Sequence, residues 1–303
     1  MQSDLGVQVQ AVIYNNEPWT VHRALTSIAN AARVCREQRG QFERFNVALG
    51  DASPQPVPAD DVVEEWRNEF ARDFDLSVSR FGFNSGSARG HNLLAKDATA
   101  DFLVLLNPDV ILTPNFFMDV MRPFNELGDE AGIAEARQSP IEHSKDYDVE
   151  TGETSWATGA CTVIPRAVFE AVGGYDADTF FMYCDDVDLS WRVRLTGRKV
   201  IFLPDVPVFH AKRLSPTGAW QPTSAERYYS AEAALLMAYK WSQPAILKRI
   251  LTRFTLEPND VQHRAADAFK QRRKDGRLPV QLDPEHTVAQ FIEGNYGPLR
   301  YVM

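Results

Sequence analysis

Residues 102–109 read Phe102-Leu103-Val104-Leu105-Leu106-Asn107-Pro108-Asp109, and the change of character inside that stretch decides the fold. The apolar run without polar alternation is a strand buried on both faces, and a hard oxygen ligand emerges where it stops. Upstream the same motif repeats. Val7 to Tyr14, Phe45 to Leu49 and Leu76 to Phe81 read as strands, separated by helical patterns over Thr20 to Gln38, Asp60 to Arg72 and Ser87 to Ala98. Crossovers of helical length join parallel neighbours, so an α/β sheet is expected. Ligands of such open sheets bind beyond the carboxyl ends of the strands. Asn15, Asp51, Asn84 and Asn107 to Asp109 each follow a strand. Any one of them alone also reads as a polar turn; four at one edge mark a site.

Downstream, Gly128 to Thr158 carries Pro140, Gly152 and many charges and reads as a loop-rich crossing. The pattern then sharpens. Ala160 to Ile164 is a strand, Arg166 to Val172 a helix closed by Gly173-Gly174, and Asp186 to Leu195 a helix closed by Gly197. Two strands follow, Lys199 to Leu203 and Val206 to His210. Beyond Arg213 come helices at Ser224 to Trp241 and Pro244 to Thr255, a charged stretch at Gln262 to Arg277 and a tail with Pro and Gly. The expected organisation is a catalytic α/β domain over 1–213 and a helical extension over 214–303.

The chain has 303 residues with 44% hydrophobic content, enough for an ordinary core. Its net charge of -9 comes without a long basic run, which argues against nucleic acid as a partner. Cys35, Cys161 and Cys184 are odd in number and widely spaced, fitting buried reduced thiols better than disulfides or a zinc knuckle. Met1 to Gly6 carries no signal region and no stretch reaches the length of a membrane span, so a cytoplasmic protein is expected.

Three constellations carry chemistry. The Asp109 carboxylate at a strand end suits Mg²⁺ or Mn²⁺, which are commonly held by one or two carboxylates together with substrate phosphates. In Phe180-Phe181-Met182-Tyr183-Cys184-Asp185-Asp186-Val187-Asp188-Leu189, three acids open a helix. Capping explains one or two of them. A carboxylate in such apolar surroundings can also take a proton from an attacking hydroxyl. His210 ends the last strand, where an imidazole can complete a Mn²⁺ site made otherwise of oxygen.

In their order, Asn84-Ser85-Gly86-Ser87-Ala88-Arg89-Gly90-His91-Asn92, Asn107-Pro108-Asp109, Thr158-Gly159-Ala160, Gly173-Gly174-Tyr175-Asp176, Phe181 to Asp188, Arg192 and Gly197 closely resemble the family 2 inverting glycosyltransferases, the rhamnosyltransferase-like branch most of all. The resemblance covers roughly Val7 to Arg213. It implies a GT-A fold, a mixed and mainly parallel sheet flanked by helices, and a UDP- or dTDP-sugar donor. By the same resemblance Asn15 and Asp51 contact the nucleotide, Asp51 at its base, and the loop with Asn84, Gly86 and Asn92 lines the donor pocket. Asn107 and Asp109 stand where the family keeps its Asp-x-Asp motif, with Asp109 and His210 as metal ligands. Asp186 takes the place of the general base, and Gly159, Ala160 and Asp185 face the acceptor, a saccharide, lipid-linked or small-molecule hydroxyl. The pattern departs at Asp185, where Glu is commoner, and at Asp51-Ala52-Ser53, where Asn usually follows the Asp.

Two other readings compete. A nucleotidyltransferase or metal-assisted hydrolase also uses carboxylates and a cation, but Asn15-Asn16-Glu17-Pro18 replaces the Gly-rich basic loop expected after the first strand. A catalytically silent binding protein would have no need of Asp109, Asp186 and His210 together. The helix carrying Arg227, Tyr228, Tyr229, Tyr239, Lys240 and Trp241 reads as packing its aromatic side against the catalytic domain, with acceptor or lipid contact as the alternative. Lys248, Arg249 and Arg253, interleaved with Ile250, Leu251 and Phe254, are candidates for contact with the inner face of a membrane or with the second subunit of a homodimer.

Overall fold

A computed structural model describes residues 5–211, 221–292 and 294–296. Its strands are β1 (Leu5–Ile13), β2 (Phe42–Asp51), β3 (Asp75–Arg80), β4 (Phe102–Leu106), β5 (Val110–Leu112), β6 (Ala131–Ser139), β7 (Glu153–Thr154), β8 (Cys161–Pro165) and β9 (Lys199–His210). The helices are α1 (Pro18–Glu37), α2 (Asp60–Phe70), α3 (Gly86–Ala95), α4 (Phe116–Asp119), α5 (Arg122–Leu127), α6 (Arg166–Ala171), α7 (Asp185–Leu195), α8 (Ser224–Lys240), α9 (Pro244–Leu256) and α10 (Asp260–Lys274).

The strands form one sheet in the order β3-β2-β1-β4-β8-β6-β9-β5, with β7 also on β9. The β1–β2, β2–β3 and β1–β4 pairs are parallel, as the helical crossovers require. Beyond β4 the sheet turns mixed: β8 runs antiparallel to β4 and β6, β6 is parallel to β9, and β5 is antiparallel to β9. The apolar run of β4 is explained by burial on both faces, since Val104 and Leu106 join a core with α1 while Leu103 and Leu105 join another with α6 and α7.

β1 shows the same division with a polar component. Val7, Val9, Ala11 and Ile13 face the α1 core, whereas Gln8 and Gln10 face α3 and bond to Leu94 O and to His91. Full burial pushes the His91 imidazole down to about 4, so it sits there neutral. Gly90 lets α3 approach: a Cβ there would stand 2.6 Å from Val12. The start of α3, with Asn84 and Gly86, is thereby held at the carboxyl edge of the sheet.

Two stretches depart from the sequence reading. The expected loop-rich crossing contains β6, a nine-residue strand. Its pattern is hidden by Glu135, which is fully buried but ion-paired to Lys145 from the following loop. The two expected strands at 199–203 and 206–210 are one strand, β9, whose register against β6 shifts between Ala136 and Arg137. That irregularity absorbs Pro204 and Asp205, which broke the apolar pattern.

The C-terminal helices share a core with the α/β part of the chain. Trp156, Phe180, Val187 and Trp191 pack with Leu235, Leu236, Trp241 and Phe269. Lys240 and Trp241 of the aromatic helix are buried, in line with the packing reading. The domain boundary expected at Arg213 lies outside the described residues. Among the described residues no helix is long and apolar enough to cross a membrane.

Candidate active site

The antiparallel pairing of β5 with β9 sets Val110 opposite His210, which brings Asp109 beside the imidazole. The Asp109 Oδ1 and His210 Nε2 atoms are 3.4 Å apart, and Asn107 Nδ2 lies 3.3 Å from the same nitrogen. On its other side His210 Nδ1 is 2.7 Å from Gln138 Oε1. A carboxamide oxygen only accepts, so Nδ1 carries a proton, and in the neutral imidazole Nε2 then presents its lone pair toward Asn107 and Asp109. A lone pair facing a carboxylate is an arrangement that a cation relieves.

The donor set also fits in size. Two ligands each about 2.1 Å from one cation in an octahedral array stand about 3 Å apart, close to the Asp109–His210 separation. Among the described residues no cluster of three His, Cys, Asp or Glu side chains could hold a metal alone. Asp109 and His210 would therefore need further oxygens, the kind a diphosphate supplies.

The second centre is the first turn of α7. Asp186 is half-buried, its Oδ2 accepting from Gly159 N at 2.9 Å and its Oδ1 from Val187 N at 2.8 Å. Asp185 is buried; burial first, then the Asp186 charge, pushes its carboxyl up to about 8. Tyr183 and Cys184, immediately before these acids, both have left-handed backbone, at φ 67° and 58°. Such strain just before a charged turn is a common companion of a functional site.

One short segment joins the two centres. Gly159 donates to Asp186, while Ala160 O accepts from Asn107 N at 2.9 Å. Two adjacent residues thus touch the base-like carboxylate and the Asn107–Asp109 turn. Ser190 Oγ reinforces the clamp, donating to Asp186 O and accepting from Ala157 N.

The other predicted residues lie around this pair. Asn84 Oδ1 accepts from Gly86 N, and Gly86, with φ 65°, presses on the carbonyl of Phe181, leaving no room for a Cβ. Asn92 is a strut whose amide donates to Tyr175 O and accepts from Tyr175 N. Asn15 and Asp51 form a cluster of their own, linked by Asn15 N donating to Ser53 Oγ. The Asp51 carboxylate is 2% exposed and accepts from Ser53 N, Val57 N and Arg80 Nη1. Burial alone would raise its pKa, but these donors outweigh it and hold the group below the usual carboxylate range.

Sequence reasoning passed over Gln138 and assigned no partner to Asp188. The latter is fully buried and accepts from Lys240, Trp241 and Arg192, so it fastens α7 to α8.

The sequence profile described as Glycosyl transferase family 2 matches residues 11–173. An N-acetylglucosaminyl-diphospho-decaprenol L-rhamnosyltransferase of Mycobacterium tuberculosis (strain H37Rv) is 39% identical over 57 residues, 19% of this chain and 18% of that protein. The rhamnosyltransferase WbbL of Escherichia coli K12 is 38% identical over 56 residues, 18% of this chain and 20% of that one. The match thus spans only about a fifth of these relatives. In fold, the chain is similar to GalNAc-T7, crystallised with UDP, GalNAc and Mn²⁺, at a TM-score of 0.62 and 14% identity over 91% of this chain and 56% of that one. It is also similar to the mannosyltransferase PcManGT of Pyrobaculum calidifontis, in complex with GDP-Man and Mn²⁺, at 0.54 and 16% over 96% and 77%. With the mixed sheet, the strand-edge site and the profile match over more than half its length, the chain belongs to glycosyl transferase family 2 and has the GT-A fold.

Proposed function

We propose that the protein is an inverting, divalent-metal-dependent transferase that moves a rhamnose-like or other hexose from a UDP- or dTDP-sugar to a saccharide hydroxyl. The observation that carries this reading is the bridge through Gly159 and Ala160, which holds a proton acceptor, Asp186, at a fixed position relative to Asp109 and His210. The names of the Mycobacterium relatives contain a lipid diphosphate, and a lipid-linked saccharide is the acceptor class we favour.

Asp109 and His210 would hold Mn²⁺ or Mg²⁺, with Asn107 beside them; the ion would neutralise charge on the departing diphosphate. Asp186 does the proton chemistry. Its two backbone donors orient the carboxylate. Asp185 keeps its proton to about pH 8, which leaves Asp186 as the member of the pair able to accept one. The acceptor O–H proton passes to Asp186 as the oxygen attacks the anomeric carbon, the bond from that carbon to the diphosphate oxygen breaks on the opposite face, and the nucleoside diphosphate leaves.

The test has two stages. Thermal unfolding is measured with UDP, dTDP, GDP or CMP, each with and without Mn²⁺, on the native chain and Asp109→Ala. Stabilisation by UDP or dTDP that requires metal and Asp109 is expected; no shift with any nucleotide would sink the proposal. NMR of the glycoside product from the stabilising donor then reports its anomeric configuration, which is expected to be inverted.

A further inference from the structure

We infer that Gln138 is the positioning residue of the metal centre: it fixes the tautomer and the plane of His210 so that Nε2 faces Asp109 unprotonated. The inference rests on the metal reading of Asp109 and His210 given above.

Gln138 is 2% exposed, on β6 beside β9. Its own orientation is determined by Glu142. The Glu142 carboxylate grips residue 138 twice, Oε2 accepting from the main-chain N at 2.6 Å and Oε1 from Nε2 at 3.3 Å. Nε2 also donates to Thr158 Oγ1 at 2.9 Å. An ionised carboxylate only accepts, so the carboxamide nitrogen must point to Glu142 and the oxygen to His210. The oxygen then demands a proton on Nδ1. Without that bond only the long Asn107 Nδ2 contact at 3.3 Å opposes a proton on Nε2, where it would block the lone pair.

Thr158 extends the chain, since the next residue, Gly159, donates to Asp186. Glu142, Gln138 and Thr158 thus tie the imidazole to the segment that orients the base. Partners of this kind behind a ligating histidine typically contribute 10- to 100-fold in metal affinity.

The test compares the native chain with Gln138→Met, which keeps the volume and loses the acceptor, and with the exchange pair Gln138→Glu plus Glu142→Gln, which restores an acceptor at 138. Long-range ¹H–¹⁵N spectra of the six histidines at pH 8, with His210 assigned through His210→Asn, report its tautomer without metal. Free Mn²⁺ in the presence of UDP, followed by electron paramagnetic resonance, reports affinity.

The expected result is an Nδ1–H tautomer in the native chain and a shift toward Nε2–H in Gln138→Met. Mn²⁺ affinity falls about 10-fold or more in that variant and recovers in the exchange pair. An unchanged tautomer and affinity in Gln138→Met overturns the inference alone. A native chain that takes up no Mn²⁺ with UDP overturns the metal reading, and the inference with it. A folding defect would not interconvert tautomers and then be repaired by the exchange pair, so the readouts separate positioning from mere stability.

Discussion

Asp185 and Asp186 are neighbours in sequence with opposite surroundings, one buried and one half-exposed beside two backbone donors. Asp186→Asn is expected to lower kcat by about 10²- to 10⁴-fold, the range for a lost general base. The melting shift with UDP and Mn²⁺ should persist, and its loss would mean that the side chain is structural. Asp185 gives a pH signature. Its pKa is raised from 3.8 to about 8, so between those values the folded state holds a proton that the unfolded state releases, and stability falls as pH rises. Asp185→Asn should therefore gain more stability over the native chain in urea at pH 8 than at pH 5. The ceiling is about 1.4 kcal/mol for each pH unit in that window, and an equal difference at both pH values would refute the assignment. Asp109, Asp186 and His210 stood out in sequence as candidates because their residue types sit at strand and helix ends. Gln138 did not, since an amide in a charged stretch carries no periodic signal and its partner His210 is 72 positions away.

The elements legible in sequence are those whose burial follows a simple period. β4 is apolar throughout, and α1 buries Val21, Leu25, Ile28 and Cys35 at helical spacing. β6 was hidden because an acid occupies its core position. Burial pushes Glu135 up to about 7, with the Lys145 ammonium partly opposing, and Lys145 itself lies over the Trp156 ring at 4.1 Å. Removing one partner of a buried ion pair typically costs about 3–5 kcal/mol, and Lys145→Met should lose stability on that scale at pH 8. The loss should shrink at pH 5. Without the ammonium the Glu135 pKa rises further, so at pH 5 the folded state keeps the acid neutral at small cost, whereas at pH 8 it must either bury a charge or hold a proton against the solvent. Urea unfolding at the two pH values measures both terms, and an equal loss would show that Glu135 does not sense Lys145 electrostatically.

At the scale of the whole molecule, the α/β half and the C-terminal helices are fastened by the same helix that carries Asp186. Asp188, one turn into α7, is fully buried and accepts from Lys240 and Trp241 of the C-terminal half, and Lys240 also pairs with Asp176 at 2.6 Å. Burial alone would raise the Asp176 pKa, but its bonds from Lys240 and Thr179 outweigh that and lower it. Trp191 meets Trp241 edge-on at 5.1 Å inside this shared core. Neither side can expose that core without leaving buried charges unpaired, so the two halves should unfold together. Far-UV circular dichroism and tryptophan fluorescence are expected to trace one coincident urea transition. Lys240→Met strips Asp188 of its ammonium, leaving Arg192 as its cation, and should move that transition to lower urea in both probes by less than the cost of a fully unpaired buried charge. If the variant instead split the curve in two, with fluorescence lost before the remaining secondary structure, the α8–α10 helices would be an appendage that the α/β half can shed. The turn holding Asp186 would then owe its rigidity to Gly159, Val187 and Ser190.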